Sequence, residues 1–470
     1  MMSSKYGQEL QIEVSGASHA PTIEIVMRGI PAGVKVDMEE VQAFLNRRKG
    51  GQNAYSTKRA EADTPHVESG LDETPKGFIT NGQPMKAVFY NSNTRSSDYE
   101  QMRYVPRPSH ADFTSYVKYG DSMDRSGGGM FSGRMTLPIC FAGAVAMQIM
   151  EKRGISIFAH VASIGNIKDD SFNPVNPDPN LVPRKEGYFP AINKSARDRM
   201  VGYMTACAGD GDSVGGSVEC AITGLPAGVG EPLYDSMEST IAHMMFGIPA
   251  VKGIEFGSGF KCGTMKGSEC NDPFIIKDGH VATETNHSGG IQGGISNGMP
   301  VILRVCFKPT PSIYKEQRTV NMKELTETTL TLAGRHDPCI VPRAVPCVEA
   351  ACAIAVYNLL VKYDEQQEKA AIDLEKEQEG GNGAARNIES LRGQIDSVDT
   401  ELATLISKRM DLAGQIAEEK AKAGLQIQNP GREAEVLEHV SKVAGFEKGT
   451  YVKEVYKSLI AQTRKYEEDF

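Results

Sequence analysis

The hydrophobic residues of the first 362 or so positions recur with the periods of both strands and helices. Short β-branched runs punctuated by glycine and proline alternate apolar and polar residues, as in 20–27 and 299–306, which is typical of strands. Apolar residues spaced three and four apart predict helices over 142–150, 233–245 and 345–362. The pattern therefore predicts an α+β domain over residues 1–362.

A charged segment follows this domain. Residues 364–378 are dense in Glu, Lys and Gln and predict a further helix, which the Gly-Gly-Asn-Gly sequence at 380–383 ends. We predict that residues 363–387 form a charged, glycine-containing linker with a flexible joint. A second domain is then expected over residues 388–470.

The pattern of the second domain is purely helical. Its apolar residues keep three- and four-residue spacing at Ile388, Leu391, Ile395, Val398, Leu402, Leu405, Ile406, Leu412 and Ile416. This predicts one helix of about 35 residues that ends near Ala423 and is over ~50 Å long. A domain of some 80 residues can cover such a helix only with partner helices. Taken alone, the apolar stripe fits a coiled-coil dimerisation module.

Composition narrows the function without identifying it. The 470 residues are 40% hydrophobic and 24% charged, with a net charge of −9, which disfavours a general binder of nucleic acid or acidic membrane. Nine cysteines without a CxxC pair favour free thiols in the cytoplasm. No basic leader and no apolar run near ~20 residues are evident, so neither secretion nor a membrane span is expected.

The cations of the predicted long helix suggest a binding site. Arg409 and Lys420 are eleven residues apart, which places them on nearly the same face about 16 Å apart, where both can reach a small dianion between them. Arg392 lies a further ~25 Å back along the helix. If Arg392 acts at such a site, it must act in the site of a neighbouring protomer.

The residues around these cations resemble a known family. The segments 392–399, 407–409, 416–420 and 431–433 resemble, in order and spacing, the all-helical class of chorismate mutases over residues 388–467. The resemblance implies a three-helix domain that dimerises by intertwining and rearranges chorismate to prephenate by a Claisen-type reaction. It implies that the carboxylates and ether oxygen of chorismate are held by Arg392, Arg409, Lys420 and Arg432, and its ring hydroxyl by Glu433.

Three positions depart from the commoner form of that family. Asn429 stands where Asp is frequent, and Thr463 and Glu467 stand where Ser and Gln are frequent. An ionised carboxylate cannot donate a hydrogen bond to the ether oxygen, so Glu467 would have to be protonated in order to act. The alternative is that Glu467 is a solvated residue of an acidic terminus.

Three histidine clusters and two glycine runs mark the first domain. The clusters are 16–19, 107–112 and 335–339, and the glycine runs are 127–129 and 289–298. A single histidine beside Ser or Asp is more often structural than catalytic, and no cluster has the spacing of a zinc site, so we expect no metal. The runs match neither a Rossmann motif nor a P-loop, which disfavours nucleotide hydrolysis and NAD folds. Arginines in the same segments suit a substrate with phosphate and carboxylates: Arg47, Arg48, Arg107, Arg134, Arg335 and Arg343.

Together with 91–99, 211–215, 225–232 and 252–257, these segments resemble chorismate synthase over residues 11–360. The resemblance implies a β-α-β sandwich that assembles as a tetramer. It also implies an anti-1,4-elimination of phosphate from 5-enolpyruvylshikimate 3-phosphate that requires reduced FMN without net oxidation. Whether this chain reduces its own FMN or depends on an external flavin reductase is left open.

The same resemblance implies roles for individual residues. His110 would supply or balance a proton near the flavin, and His19 would protonate the leaving phosphate. Asp337, Ser18 and Ser132 would tune and relay protons. The positions that match flavin contacts are Ser132, Ala250, Gly293, Lys308, Thr310, Ser312 and Arg335, and those assigned to substrate are Arg48, Arg107 and Arg134.

Departures keep other interpretations open. Ala17, Ala20, Ala54 and the segment 130–136 differ from the usual pattern of the synthase family, which weakens some binding contacts. The leading hypothesis is a bifunctional enzyme, synthase followed by mutase. One alternative is a tail that senses chorismate or prephenate and drives oligomerisation without catalysis. Another is a flavin-binding first domain that has lost the elimination.

Overall fold

A computed structural model describes residues 3–53, 56–57, 61–75, 77–92, 104–122, 127–332, 336–378, 383–426 and 428–467. The chain divides into two compact units, Met1–Glu368 and Lys369–Phe470, which we call the body and the tail.

The strands of the described residues all lie in the body. In chain order they are β1 (Ser3–Tyr6), β2 (Gln11–Gly16), β3 (Thr22–Arg28), β4 (Lys35–Val36), β5 (His66–Ser69), β6 (Leu71–Thr74), β7 (Gly77–Thr80), β8 (Met85–Tyr90), β9 (Ser156–Ile164), β10 (Ile167–Lys168), β11 (Gly216–Thr223), β12 (Ala227–Gly230), β13 (Val251–Phe256), β14 (Phe274–Lys277), β15 (His280–Thr283), β16 (Ile291–Gln292), β17 (Ile295–Asn297), β18 (Val301–Phe307), β19 (Gln317–Asn321) and β20 (Thr326–Leu330).

The helices occur in both units. In chain order they are α1 (Met38–Asn46), α2 (Asp112–Tyr119), α3 (Thr136–Glu151), α4 (Lys194–Gly209), α5 (Met237–Phe246), α6 (Gly267–Cys270), α7 (Val341–Gln378), α8 (Gly383–Ala423), α9 (Pro430–Val443) and α10 (Gly445–Glu467).

Two antiparallel five-stranded sheets form the frame of the body. The first has the order β1-β2-β3-β8-β5, and the second has the order β10-β9-β11-β18-β13. In β3 the residues Ile23, Ile25 and Met27 are buried while their neighbours are partly exposed, so the alternation seen in the sequence marks one covered face. The central strand β11 is buried along most of its length, which is typical of a strand covered on both faces.

Helices α3 and α7 fill the space between the sheets. Helix α3 contacts β2 and β3 of the first sheet and β9 of the second. In α7, the Glu349 carboxylate accepts from the Ala159 N–H of β9 (3.0 Å). At the other sheet, the Asn358 Oδ1 of α7 accepts from three successive N–H groups just before β2, those of residues 8–10, at 3.0–3.1 Å. This arrangement of sheet, helices and sheet confirms the predicted sandwich.

The same two helices correct one prediction. Two described helical segments are long and apolar enough to span a membrane, Gly133–Glu151 and Val341–Ile372, although no such stretch was expected. Of the 18 most apolar consecutive residues in each segment, 83% and 94%, respectively, are buried inside the fold. A helix that lies between two sheets needs apolar residues on every side. Their composition is therefore explained by their place in the core.

One predicted helix begins later than the sequence pattern indicated. Leu233–Asp235 forms a 3₁₀ turn, and α5 begins at Met237. The Ser236 Oγ accepts from the Ser239 N–H (3.0 Å), so this serine caps the helix and separates it from the preceding turn.

The described part of the tail consists of three complete helices and the last residues of α7. Helix α8 covers 41 residues, a little more than the predicted 35, and α10 packs against both α8 and α9. The residues of these helices that are buried are few and mostly small: Ala413, Gly414, Ala417, Gly449, Ile460 and Thr463. In contrast, the stripe Ile388–Ile416 is exposed, with Val398 at 54% and Leu405 at 60%. Residues 379–382 of the predicted linker lie outside the described residues.

Candidate active sites

A cavity of about 590 Å³ in the body gathers most of the residues that the sequence singled out. Segments that are far apart in the chain meet here, including the 3₁₀ turns Gly129–Phe131 and Gly133–Met135 that precede α3. The cavity is lined by the following predicted residues: Ser18, His19, Arg48, Arg107, His110, Ser132, Arg134, Ala250, Lys308, Thr310, Ser312 and Asp337.

Two predicted residues are not among these. Gly293 does not line the cavity and has an open surface where a side chain would project. Arg335 lies outside the described residues, as does Ala54.

Two buried arginines share one carboxylate at the cavity wall. Arg48 donates to one oxygen of Asp63 (2.6 Å) and Arg134 donates to the other (2.7 Å). The Asp63 side chain is 2% exposed. Burial alone would raise the pKa of Asp63, but the charges of Arg48 and Arg134 outweigh that effect and lower it. Glu61 also lines the cavity near Arg134, but six arginines and lysines against three carboxylates leave the described cavity lining positive.

These arginines keep hydrogen-bonding capacity for a ligand. The Nε of Arg48 and the Nη2 of Arg134 are buried and find no hydrogen-bond partner in the part of the chain that the structure describes. Unsatisfied buried N–H groups are costly unless a ligand accepts from them. The cavity can therefore bind an oxyanion at this wall.

His110 belongs to a second charged cluster. Its Nδ1 lies 2.6 Å from Asp112 Oδ1, and Arg107 donates its Nε to Asp112 Oδ2 (2.7 Å). At 2.6 Å from a carboxylate, Nδ1 carries the proton, which leaves Nε2 of the imidazole for other partners. Burial lowers the pKa of His110, and the bond to Asp112 opposes that shift. Asp112 thus fixes both the tautomer and the orientation of the ring.

His19 is held from two sides. The Ser18 Oγ lies 3.0 Å from its Nδ1. A Cβ at Gly127, whose φ is +68°, would lie 2.2 Å from Cε1 of the ring. Only glycine allows the backbone to approach the ring this closely, so the glycine run at 127–129 serves to admit His19.

Asp337 accepts hydrogen bonds from two other residues that line the cavity. Its Oδ2 accepts a short hydrogen bond from Arg343 of α7, and its Oδ1 accepts from the Thr57 N–H (2.8 Å). The carboxylate is therefore fixed in position.

Lys308 connects two backbone positions with unfavourable geometry. Ser109 and Ala250 have φ values of +60° and +73°, which residues other than glycine rarely adopt. The N–H of Lys308 donates to Ala250 O (3.0 Å), and its Nζ donates to Ser109 O (2.7 Å). Nearby, the Thr310 Oγ1 is buried without a partner among the described residues. This side of the cavity offers further hydrogen bonds to a ligand.

The tail brings together only part of its predicted set. Arg409 of α8 donates to the Thr463 Oγ1 of α10 (2.6 Å), and Lys420 is half-buried on the same helix. Glu433 of α9 accepts from Arg464 of α10 (2.7 Å), a partner that sequence reasoning missed. Glu467 is half-buried at the end of α10.

The other two arginines of the set predicted for the tail, Arg392 and Arg432, are exposed. Arg392 bonds to Glu389 (3.3 Å) and Arg432 bonds to Glu435 (2.9 Å), and the arginine side chains are 69% and 71% exposed. Each pair joins two residues of the same helix at the surface, and such pairs hold side chains only weakly.

Comparisons with known proteins agree with both units. The family model for chorismate synthase matches residues 10–361, and the model for chorismate mutase type II matches residues 391–468. The chain is 40% identical to chorismate synthase of Lancefieldella parvula, over 78% of this chain and 98% of the relative. It is 43% identical to chorismate synthase of Thermococcus gammatolerans, over 76% and 97%.

A solved structure described as a crystal structure of chorismate synthase superposes with a TM-score of 0.57 at 25% identity, covering 76% of this chain and 93% of that one. Both resemblances inferred from sequence motifs are thereby confirmed. The chain belongs to the chorismate synthase family and carries, in addition, a chorismate mutase type II domain.

Proposed function

We propose that this chain catalyses two consecutive reactions. The body converts 5-enolpyruvylshikimate 3-phosphate to chorismate, and the tail rearranges chorismate to prephenate. The observation that carries the proposal is the cavity of the body, where two arginines with unsatisfied N–H groups lie beside two oriented histidines. An oxyanion-bearing substrate whose reaction needs proton transfer fits this combination.

In this proposal the arginine wall holds the phosphate of the substrate. Arg48 and Arg134 keep one N–H each for it, and Asp63 keeps both guanidinium groups in place. Negative charge increases on the phosphate as its carbon–oxygen bond breaks, so fixed cations stabilise the transition state more than the bound substrate.

The two histidines carry the proton steps. His19, held by Ser18, donates a proton to the departing phosphate. His110 presents Nε2 to the cavity because Asp112 fixes Nδ1, and it supplies or balances a proton near the cofactor. Asp337 and Ser132 complete the relay.

The cavity also suits reduced FMN. Its volume is within the range of small-molecule sites, and Thr310 offers a buried hydroxyl with no described partner. Ser132, Ala250, Lys308, Thr310, Ser312 and Arg335 are the residues proposed to hold the cofactor. When bound, it supplies transient electron density that assists loss of phosphate without net oxidation.

The tail acts through fixed charge alone. Arg409, Lys420 and Arg432 hold the carboxylates and ether oxygen of chorismate in a reactive conformation, which is sufficient for a rearrangement without a covalent step. Arg464 orients Glu433 toward the ring hydroxyl. Thr463 positions Arg409.

Arg392 enters this site from a second copy of the chain. It lies 17 residues before Arg409 on α8, which is ~25 Å along the helix, and the apolar stripe between them is exposed. We propose that α8 pairs with α8 of a partner, as in the intertwined dimer of the mutase family. The body is proposed to assemble as the tetramer of its own family, in the cytoplasm.

The two activities are tested together under anaerobic conditions. Full-length protein is mixed with chemically reduced FMN and 5-enolpyruvylshikimate 3-phosphate, and chorismate and prephenate are quantified over time beside a reaction started from chorismate. Prephenate from both starting compounds is expected. Prephenate from chorismate alone would mean that the departures around Ala17 and Met130 have silenced the body. Chorismate without prephenate would make the tail a sensor or an assembly module.

The shared site of the tail is tested by complementation. Arg392→Ala and Arg409→Ala variants are each expected to lose mutase activity. When they are mixed and allowed to exchange subunits, half of the dimers are heterodimers with one intact site, so about a quarter of the wild-type activity should return. No recovery despite demonstrated exchange would place Arg392 outside the site.

A further inference from the structure

Two cysteines meet where the core helices of the body cross. The Sγ of Cys140 on α3 donates to the Sγ of Cys347 on α7, and the two sulfur atoms are 3.8 Å apart. One turn further along both helices, a Cβ at Gly143 would lie 2.3 Å from the Cβ of Ala350. The two backbones are therefore in close contact at this crossing, and close approach is one requirement of a disulfide.

Only one of these thiols faces the cavity. Cys347 lines it together with Arg48 and Arg343, whereas Cys140 lies behind Cys347. The hydrogen bond from Cys140 and the nearby charges of Arg48 and Arg343 lower the pKa of the Cys347 thiol. Burial raises the pKa of Cys140. A thiol with a lowered pKa at the cavity and a thiol with a raised pKa behind it form the arrangement of a reactive and a resolving cysteine.

We propose that Cys347 and Cys140 form an oxidative modification site, in which a small hydroperoxide enters the cavity and converts the pair to a disulfide. Nothing in this proposal depends on either catalytic activity.

The chemistry requires one hydroperoxide for each disulfide. The Cys347 thiolate attacks one oxygen of hydrogen peroxide, the O–O bond breaks, and Cys347 becomes a sulfenic acid while hydroxide leaves and takes a proton to give water. The Cys140 sulfur then attacks the Cys347 sulfur, its proton passes to the departing hydroxyl, and a second water leaves. Two thiols lose two electrons and the peroxide gains them. The two sulfur atoms are 3.8 Å apart and must move about 1.8 Å closer to each other, because an S–S bond is about 2.05 Å long.

The body contains an internal control for this inference. The Sγ atoms of Cys220 on β11 and Cys352 on α7 are 3.7 Å apart, and both residues are fully buried. Neither lines the cavity. If sulfur separation alone decided reactivity, both pairs would oxidise equally, whereas access from the cavity favours Cys140 and Cys347.

The test uses full-length protein and hydrogen peroxide. After exposure, catalase removes the peroxide, and free thiols are alkylated with N-ethylmaleimide under denaturing conditions. Digestion with trypsin and a protease that cleaves after glutamate is informative because cleavage after Glu349 separates Cys347 from Cys352. Mass spectrometry is expected to find the Cys140–Cys347 cross-link at least about tenfold more abundant than Cys220–Cys352, and dithiothreitol should reverse it.

Two variants extend the test. In Cys140→Ala, Cys347 has no partner, so its sulfenic acid should accumulate and react with dimedone. In Cys220→Ala, the Cys140–Cys347 cross-link should form as in the wild type. Equal oxidation of both pairs, or labelling of Cys347 as a free thiol after peroxide exposure, would overturn the proposal. If a variant fails to fold, the comparison of the two pairs in the wild type still decides.

Discussion

The two units of this chain complete their proposed sites in different ways. In the body, Asp63 holds two arginines at the cavity, and Asp112 and Asp337 hold one each, so the site is organised by charges within one chain. In the tail, Arg392 lies on the surface beside an exposed apolar stripe. The comparison indicates that stability within one chain and completeness of a site are separate properties, and that an exposed apolar face can mark a site that needs a second copy.

The largest expected difference between the two activities comes from a charge placed in the apolar stripe of α8. We expect Val398→Lys to reduce mutase activity at least about 100-fold, because an unpaired ammonium buried in a helix interface costs several kcal/mol. Synthase activity should stay unchanged. Both rates are measured on the same preparation, with the oligomeric state followed by analytical ultracentrifugation.

Thr400→Lys is the matched control for this substitution. Residue 400 is exposed on the same helix, on the face opposite the stripe, so its replacement should affect neither assembly nor activity. Retained mutase activity in Val398→Lys would show that the stripe is not an interface.

A substitution in the body should have the opposite result, with loss of synthase activity and unchanged mutase activity. We expect Asp112→Asn to lower synthase activity by about 100-fold or more, since the substitution removes the group that fixes the tautomer of His110. Asp112 raises the pKa of His110 against the effect of burial, so the limb of the pH–rate profile that depends on His110 should move to lower pH. Mutase activity serves as the control. An unshifted limb would mean that Asp112 does not act through His110.

Asp63→Asn tests whether Arg48 and Arg134 depend on the carboxylate that they share. We expect the free energy of unfolding of the body to fall by about 3 kcal/mol or more, because two buried guanidinium groups lose their counter-charge. The pKa of Asp63 is lowered in the fold. Its stabilising contribution is therefore present above the ordinary pKa of an aspartate and is lost as pH falls through the lowered value.

Denaturant titrations of the wild type and Asp63→Asn at neutral and acidic pH measure this contribution. The matched control is Asp198→Asn, which removes a surface pair with Arg197 and should cost less than about 1 kcal/mol. Equal losses in the two variants would contradict the assigned role of Asp63.

The smallest expected effect concerns Glu467 of the tail. If its protonated form donates to the ether oxygen, mutase activity falls as pH rises, and Glu467→Gln flattens the profile because an amide donates at every pH. The profile is measured from chorismate consumption. An unchanged pH dependence in the variant would remove Glu467 from the mechanism.

Much of the architecture could be predicted from the sequence because hydrophobic periodicity is a local signal. The alternation in β3 and the long periodic pattern of α8 each reported which residues share a face. Family motifs located His19, His110 and Arg134, which the fold brings to one cavity.

The partners of these residues were not predictable in the same way. Asp63 and Arg464 carry no local pattern, and their importance arises only when folding places them beside a charge of opposite sign. Asp112 was visible within the motif of His110, but its role depends on a 2.6 Å contact. Likewise, the pairing of Cys140 with Cys347 reflects a helix crossing between residues 207 positions apart.

One amide of α7 has a consequence for how the protein is made. Asn358 accepts hydrogen bonds from the N–H groups of residues 8–10, which are 348 to 350 positions earlier in the chain. During synthesis, the first strands of the body emerge from the ribosome long before the side chain that fastens them. The body therefore cannot complete its fold until most of the chain has been translated, and the start of β2 lacks these hydrogen bonds until then.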